Sequence, residues 1–214
     1  MSIRGTLRTI RRQLIPYTAT RRIVSIGGVG STSLVAHLEE GDKDRIWCHS
    51  RYQHCLEPEL LPEVRKGLGM KACFVFGDPF YSVQSVFRRN LQKRHEKSMT
   101  RSIQGYEPRL RKDTTLSEYL QDGVDRFFLD RHVRNWVDYS GTKVQVLAVK
   151  YEFLGEHIQE IMEFLECIRP FQVRPRTSRY QDQPPEIQAG LERMYGEVKA
   201  YIESLPSLIR INAS

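Results

Sequence analysis

Short apolar runs alternate with amphipathic segments along most of the chain. Three runs are typical of buried strands, at residues 23–26, 71–76 and 144–151, and residues 44–48 are a weaker fourth. Helical spacing of apolar residues separates these runs, at residues 31–40, 60–68, 83–94, 116–139, 158–165 and 186–205. Apolar strands that alternate with helices predict an α/β fold with a central, mostly parallel sheet flanked by helices.

The length of 214 residues suits one domain. We predict a basic N-terminal arm over residues 1–20 and a single α/β domain over residues 21–214. Residues 98–115 are polar and contain Gly105 and Pro108, so we expect a mobile loop between two of the helices.

The positive charge is concentrated in two segments. The formal net charge is +7, from 33 Lys and Arg against 26 Asp and Glu. Residues 1–38 contain six arginines and no acid, and residues 86–112 contain nine basic residues and two acids, so the rest of the chain is net acidic. This distribution suits a polyanionic partner, such as a phosphate-rich cofactor, nucleic acid or anionic lipid. A solvated basic surface with no dedicated ligand is the alternative.

Several classes of protein are excluded by composition. No window approaches the roughly 18 consecutive apolar residues of a membrane span, and no apolar segment of a signal peptide follows the start. Four cysteines are too few for a disulfide-dense secreted scaffold. We therefore predict a cytoplasmic protein without a transmembrane segment. An organellar location is the alternative, because the first 20 residues are rich in arginine and free of acids.

A glycine-rich turn follows the first predicted strand and precedes a helix. Its residues are Gly27, Gly28, Val29, Gly30, Ser31, Thr32 and Ser33. Backbone N–H groups in such a turn, together with the helix N-terminus, can bind phosphate or sulfate oxygens, and the hydroxyls can add donors. A Walker A loop would need glycine at Ser25 and lysine at Ser31, so an ordinary ATP or GTP hydrolase is disfavoured. A purely structural turn is the alternative.

Two further segments lie where strands end. Residues 76–89 follow the second strand and should reach the same edge of the sheet, where ligands of parallel sheets gather. Ser85 and Arg88 are three residues apart on one helical face, which suits a phosphate monoester. The last predicted strand ends in the sequence Lys150-Tyr151-Glu152.

The order of these three segments resembles the sulfotransferase family that uses 3′-phosphoadenosine 5′-phosphosulfate (PAPS). In that family a Pro-(Lys or Arg)-Ser-Gly-Thr-Thr loop binds the 5′-phosphosulfate, an Arg-Asp-Pro segment with a later serine binds the 3′-phosphate, and a strand ends in (Lys or Arg)-Tyr-Glu-Asp-Leu. His132 and Trp136 also fit the family's His…Trp pattern. The resemblance spans roughly residues 21–205 and implies a P-loop-like three-layer fold.

The resemblance assigns roles to the matching residues. The turn from Gly27 to Ser33 would hold the phosphosulfate, and Ser85, Arg88 and Arg89 the 3′-phosphate. PAPS would be the donor substrate, and no metal would be needed. The family's two cations are replaced by Gly28 and Gly77, so the positive charge would come from other arginines. The candidates are Arg51, Arg88, Arg89, Arg174 and Arg176.

His49 is the candidate catalytic base. It lies between the two phosphate segments, where the family often has a histidine, and an imidazole can accept the proton of an attacking hydroxyl or amine. A merely structural role is the alternative. The cluster formed by Cys48, His49, His54 and Cys55 also contains zinc-type ligands, but the spacing is not Cys-x2-Cys, and buried or inert thiols are the simpler interpretation.

The basic segment over residues 88–112 could cover an anionic donor, dock an anionic acceptor or remain a solvated loop. Tyr106 is its only aromatic residue, which argues against stacking of nucleic-acid bases. We therefore predict a small anionic nucleotide as partner rather than DNA or RNA. The predicted function is transfer of a sulfuryl group from PAPS to a hydroxyl or amine. The alternatives are a catalytically inactive fold that binds a polyanion or a partner protein, and an atypical P-loop kinase.

Overall fold

The computed structural model describes residues 21–41, 52–101, 103–167 and 180–212. The predicted N-terminal arm at residues 1–20 and the weaker strand at residues 44–48 lie outside the described residues.

A four-stranded sheet forms the centre of the described structure. Its strands are β1 (Arg21–Ser25), β2 (Met70–Phe76), β3 (Val144–Lys150) and β4 (Leu208–Ile211), in the spatial order β1-β2-β3-β4. The first three strands are parallel, with Ile23 opposite Cys73 and Cys73 opposite Leu147. The fourth strand is antiparallel to β3. The predicted α/β fold with a mostly parallel sheet is therefore confirmed.

Helices flank this sheet and connect its strands. They are α1 (Ser31–Gly41), α2 (Pro62–Arg65), α3 (Pro79–Arg88), α4 (Gln92–Met99), α5 (Leu116–Asp122), α6 (Leu129–Val137), α7 (Ile158–Phe164) and α8 (Pro185–Ser204). Short 3-10 turns lie at Pro58–Leu60, Tyr151–Phe153 and Tyr180–Asp182. None of the helices in the described ranges combines the length and the apolarity that crossing a bilayer requires.

The central strands are buried along almost their whole length. In both β2 and β3 only the second residue is partly exposed. Helices therefore cover the sheet, and Trp136 from α6 stacks on Phe74 from β2 with ring centroids 5.2 Å apart. The Trp136 Nε1–H donates to the Cys55 carbonyl at 2.8 Å, which satisfies its polar atom inside the core.

Two of the helices predicted from the sequence are interrupted. The segment predicted as one helix over residues 83–94 forms α3 and α4, with Asn90 between them at φ 52°. The segment predicted as one helix over residues 116–139 forms α5 and α6. Gly123 ends α5 in the left-handed conformation, and the Asp125 carboxylate accepts the Leu129 N–H at the start of α6. Both helices pack against the same core, so the helical spacing of apolar residues continues across the break. The sequence pattern therefore predicted one helix instead of two.

The polar segment predicted as a mobile loop is held by a buried carboxylate. Glu96 is fully buried and accepts the Tyr106 hydroxyl at 2.8 Å, the Arg109 N–H at 3.1 Å and the Leu110 N–H at 2.6 Å. Three donors around one carboxylate compensate for its burial. The basic chain that leads from α4 to α5 is therefore fixed to α4.

We expect Gly123→Ala to reduce the free energy of unfolding by about 1 kcal/mol, because an L side chain is strained in the left-handed conformation. Gly123 has φ 69°, and a Cβ there would meet nothing within 4 Å, so only the backbone is tested. Urea denaturation followed by circular dichroism measures the change. Gly69→Ala is the matched control, because its backbone is not left-handed and the nearest atom to a Cβ is 3.9 Å away. Equal losses in the two variants would contradict this account of the helix break.

Candidate functional site

The glycine-rich turn lies at the carboxyl end of β1 and leads directly into α1. Gly27, Gly28 and Gly30 all have left-handed backbone, with φ of 83°, 68° and 69°. A Cβ at Gly27 would lie 2.0 Å from the His95 ring, and a Cβ at Gly28 would lie 2.3 Å from the Ser82 carbonyl oxygen. Glycine is therefore required here both by conformation and by the close approach of α3 and α4.

The accessible part of the turn is its last section. Gly27 and Val29 are buried, whereas Gly30, Thr32 and Ser33 are exposed at the first turn of α1. On one side this section is bounded by Tyr151, whose ring would lie 2.8 Å from a Cβ at Gly30. A helix of 11 residues begins at this point, so its N-terminal dipole end faces the exposed surface. An anion bound at the turn would contact this section rather than the buried Gly27.

The Ser31 hydroxyl is directed into the protein. It lies 2.8 Å from the Ser25 hydroxyl and accepts the Gln53 amide at 3.0 Å. Ser31 is buried, so its side chain connects the turn to β1 instead of presenting a donor to a ligand. The predicted donors that remain exposed are Thr32 and Ser33.

A pair of histidines lies behind the turn. The His54 Nδ1–H donates to the Ser25 carbonyl at 2.8 Å, and the His54 ring meets the His95 ring edge-on at 4.7 Å. Burial lowers the pKa of His54 to about 4 and the pKa of His95 well below its usual value. The positive charges of Arg89 and Arg94 lower the pKa of His54 further, and the neighbouring histidines and Arg89 lower that of His95. Both imidazoles are therefore neutral at pH 7, and Arg89 supplies positive charge on this side of the turn.

The three residues predicted for the 3′-phosphate do not form one group. The Arg89 Nε–H donates to the Ser85 carbonyl at 3.0 Å, and Ser85 is half-buried on α3. Arg88 instead lines a cavity together with Lys112 and Leu116. No described residue of that lining belongs to the glycine-rich turn. Two arginines that are adjacent in sequence therefore face different surroundings.

A carboxylate occupies the surroundings of Gly77, where the resembling family has an arginine. A Cβ at Gly77 would lie 2.8 Å from the Glu152 Oε2, and Glu152 Oε1 accepts the Asp78 N–H at 3.3 Å. Asp78 caps α3 by accepting the Phe80 N–H at 2.8 Å, and burial raises the pKa of its carboxyl. Negative charge here repels a phosphate, so the carboxyl edge of the sheet has an acidic part beside the start of α1.

Other residues of the resemblance have structural roles. Lys150 is buried, and its ammonium donates to the carbonyls of Glu203 and Leu205, which ties β3 to the end of α8. His132 is fully buried with its ring 5.3 Å from the ring of Phe74, and burial lowers its pKa to about 3. The lysine of the strand end and the histidine before Trp136 therefore belong to the core.

The first basic segment is partly neutralised inside the protein. The Arg22 guanidinium is buried against the carboxylate of Glu63, with Nε donating to Oε2 at 3.1 Å. Arg21 pairs with Glu166, which also binds the Lys71 ammonium at 3.0 Å. Both described arginines of this segment thus stabilise the amino-terminal half of the sheet, and their charge is not available to a ligand at the opposite edge.

Several predicted residues lie outside the described residues, namely Cys48, His49, Arg51, Arg174 and Arg176. The other two members of the zinc-type cluster are described. The Cys55 thiol donates to the Glu57 carbonyl at 3.3 Å, and burial raises its pKa to about 12, so it stays protonated. Within the described ranges no group of three or more His, Cys, Asp or Glu side chains is arranged to hold a metal ion.

No motif indicated that residues from distant parts of the chain surround the turn. Gln53 and His95 come from other parts of the chain, and His95 is a single histidine in a basic segment without any motif. The contact of His95 depends on the position of α4, whereas Gln53 is held beside β1, where its carbonyl accepts the Ser25 N–H at 2.8 Å.

Comparison with known proteins finds no matching family model, no matching curated protein and no matching solved structure.

We expect the protein to lose stability as the pH falls below about 6.5, because buried histidines that stay neutral when folded take up protons when unfolded. The folded pKa values are about 4 for His54 and about 3 for His132, so the stability is complete above pH 6.5 and declines continuously towards those values. Each such histidine adds up to about 1.4 kcal/mol per pH unit to the slope.

Urea denaturation at several pH values between 6.5 and 5 measures this slope. His132→Phe should reduce it, because the buried ring that resists protonation is gone. His157→Gln is the control, since His157 is only half-buried and its Nε2 bonds the Ser207 hydroxyl at 2.8 Å. An unchanged slope in His132→Phe would show that His132 does not cause the acid sensitivity.

Proposed function

We propose that this chain binds PAPS at the start of α1 and transfers its sulfuryl group to a hydroxyl or amine acceptor. The observation that carries the proposal is the turn itself: three left-handed glycines between a buried strand and a helix at the carboxyl edge of a parallel sheet. Such a turn brings backbone close to an anion at a helix N-terminus. The order of motifs that resembles PAPS-dependent sulfotransferases supports the choice of donor.

The exposed section of the turn would bind the phosphosulfate. Gly30 allows close approach of the backbone, and the hydroxyls of Thr32 and Ser33 are accessible beside it. Because the turn contains no lysine or arginine, the charge of the donor must be balanced from elsewhere. We assign this role to Arg89, because its positive charge, together with that of Arg94, contributes to the lowered pKa of His54 behind the turn. Ser85, whose carbonyl it binds, is then its neighbour in a 3′-phosphate site.

The chemistry would be in-line substitution at sulfur. The acceptor oxygen or nitrogen forms a bond to sulfur while the bond from sulfur to the 5′-phosphate oxygen breaks, and 3′,5′-ADP leaves. His49, as base, would take the acceptor's proton. Because the donor is already activated as a mixed anhydride, the protein's contribution is mainly positioning and charge stabilisation.

A second function is favoured by the carboxylate beside Gly77. Glu152 and Asp78 place negative charge where the resembling family binds phosphate, and Gly28 lacks the family's cation. A protein of this kind could bind an anion or a partner protein without catalysing transfer. An atypical P-loop kinase is less well supported, since the turn has no lysine.

Calorimetric titration of the full chain with 3′,5′-ADP, ATP and GTP tests the proposal. We expect micromolar affinity for 3′,5′-ADP and much weaker binding of the other two nucleotides. The double variant Thr32→Ala, Ser33→Ala should weaken 3′,5′-ADP binding about tenfold, because charge-assisted hydrogen bonds to phosphate are lost. Arg89→Gln should have a similar or larger effect.

Thr142→Ala is the matched control, because it removes an exposed hydroxyl just before β3, at the opposite end of the strands. Absence of binding by any nucleotide would refute the proposal, and equal binding of ATP would favour a kinase. Release of 3′,5′-ADP from PAPS in the presence of hydroxyl and amine acceptors separates transfer from binding alone. Tight binding without release would favour the catalytically inactive alternative.

A further inference from the structure

A cavity lies between the C-terminal half of α3 and the chain that leads into α5. Its volume is about 370 Å³, within the range of pockets for small organic ligands. Gln84, Phe87 and Arg88 line it from α3, and Lys112 and Leu116 line it from the other side. It contains none of the residues to which the nucleotide was assigned except Arg88.

The apolar part of this cavity is rigid. Phe87 is only 8% exposed, and its ring packs against Tyr119 at 5.1 Å and Phe127 at 6.0 Å between centroids. Leu116 is half-buried at the start of α5. These side chains offer a fixed surface for an aromatic ring or a short aliphatic chain.

The polar part of the cavity has unpaired positive charge. Neither the Arg88 guanidinium nor the Lys112 ammonium has a hydrogen bond or ion pair with any residue in the described part of the chain. Asp113 also lines the cavity, but its carboxylate is paired with Arg111 Nε at 3.3 Å. The two cations therefore remain available to an anion.

A buried amide adds a second, independent indication of a ligand. Gln84 is 8% exposed, and its Oε1 has no hydrogen-bond partner within the described ranges. Unpaired buried amide groups are unfavourable and uncommon. A turn of this amide about its last torsion exchanges its donor and its acceptor, so it can contact either the acidic group of a ligand or a neighbouring hydroxyl.

The wall opposite Gln84 is fixed in position. The amide of Gln92 donates to the Lys112 carbonyl at 2.7 Å and to the Thr114 carbonyl at 2.9 Å. Gln92 is buried on α4, so these two hydrogen bonds fix the position of the backbone at Lys112. The cavity is therefore formed before any ligand arrives, which reduces the entropy lost on binding.

We propose that this cavity binds a small organic anion. Its aromatic or short aliphatic body lies on Phe87 and Leu116, and its phosphate, sulfate or carboxylate is held by Arg88 and Lys112. This site does not depend on the nucleotide proposed for the glycine-rich turn. It also gives Arg88 a role different from the one predicted for it from the sequence.

Calorimetric titration of the full chain with phenyl phosphate, phenyl sulfate and benzoate tests the proposal. At least one of these anions should bind, and phenol should bind at least tenfold more weakly because it lacks the charge. Benzylamine, of similar shape but opposite charge, should not bind. The ranking of the three anions identifies which acidic group the cavity accepts.

Arg88→Gln and Lys112→Gln should each weaken binding of the best anion at least fivefold, and Gln84→Leu should weaken it measurably. Arg109→Gln is the matched control, since Arg109 is an exposed arginine of the same basic segment that does not line the cavity. Unchanged affinity in the Arg88→Gln, Lys112→Gln double variant, or no binding of any of the anions, would overturn the proposal.

The double variant Thr32→Ala, Ser33→Ala separates this site from the nucleotide site. It should leave the affinity for the aryl anion unchanged, whether or not the chain binds 3′,5′-ADP. Saturating 3′,5′-ADP should likewise not displace the anion. Displacement, together with loss of both ligands in Arg88→Gln, would overturn the proposal and assign the cavity to the 3′-phosphate of the nucleotide.

Discussion

Glycine at positions 27 and 28 lets two helices pack directly on the backbone of the turn that follows β1. The His95 ring and the Ser82 carbonyl occupy the space that side chains would fill at these two positions. This contact places α3 and α4 against the first half of the turn, and the exposed residues of the turn are Gly30, Thr32 and Ser33. The first half of the turn is therefore a packing surface, and the proposed anion site is confined to its second half.

The carboxyl edge of the sheet has one electropositive part and one electronegative part. The start of α1 provides the positive end of a helix dipole, whereas Asp78 and Glu152 provide negative charge at the end of β2. A nucleotide with several phosphates would have to lie on the first part and avoid the second. The large positive charge of the chain does not by itself resolve this conflict, because Arg22 is paired with the buried Glu63 and Arg21 with the exposed Glu166.

The strands could be predicted well because burial on both faces makes them continuously apolar. The predicted limits of β2 differ from the observed limits by one residue, whereas β4, which is only partly buried, was not recognised. The interruption at Gly123 was missed because both flanking helices face one core and keep the apolar spacing. The glycines were enough to locate the turn. The inward direction of the Ser31 side chain could not be predicted, because it depends on a hydrogen bond from Gln53, and no sequence pattern links these two residues. The predicted base His49 lies outside the described residues and stays a prediction.

The break at Asn90 has a consequence for how this protein can change. It ends α3 immediately after two arginines, of which one contributes charge near the histidines and the other lines the cavity beside Lys112. These two arginines are adjacent in the sequence but lie in two separate chemical environments. Substitution of Arg89 therefore changes the charge near the histidines, whereas substitution of Arg88 changes the charge that lines the cavity.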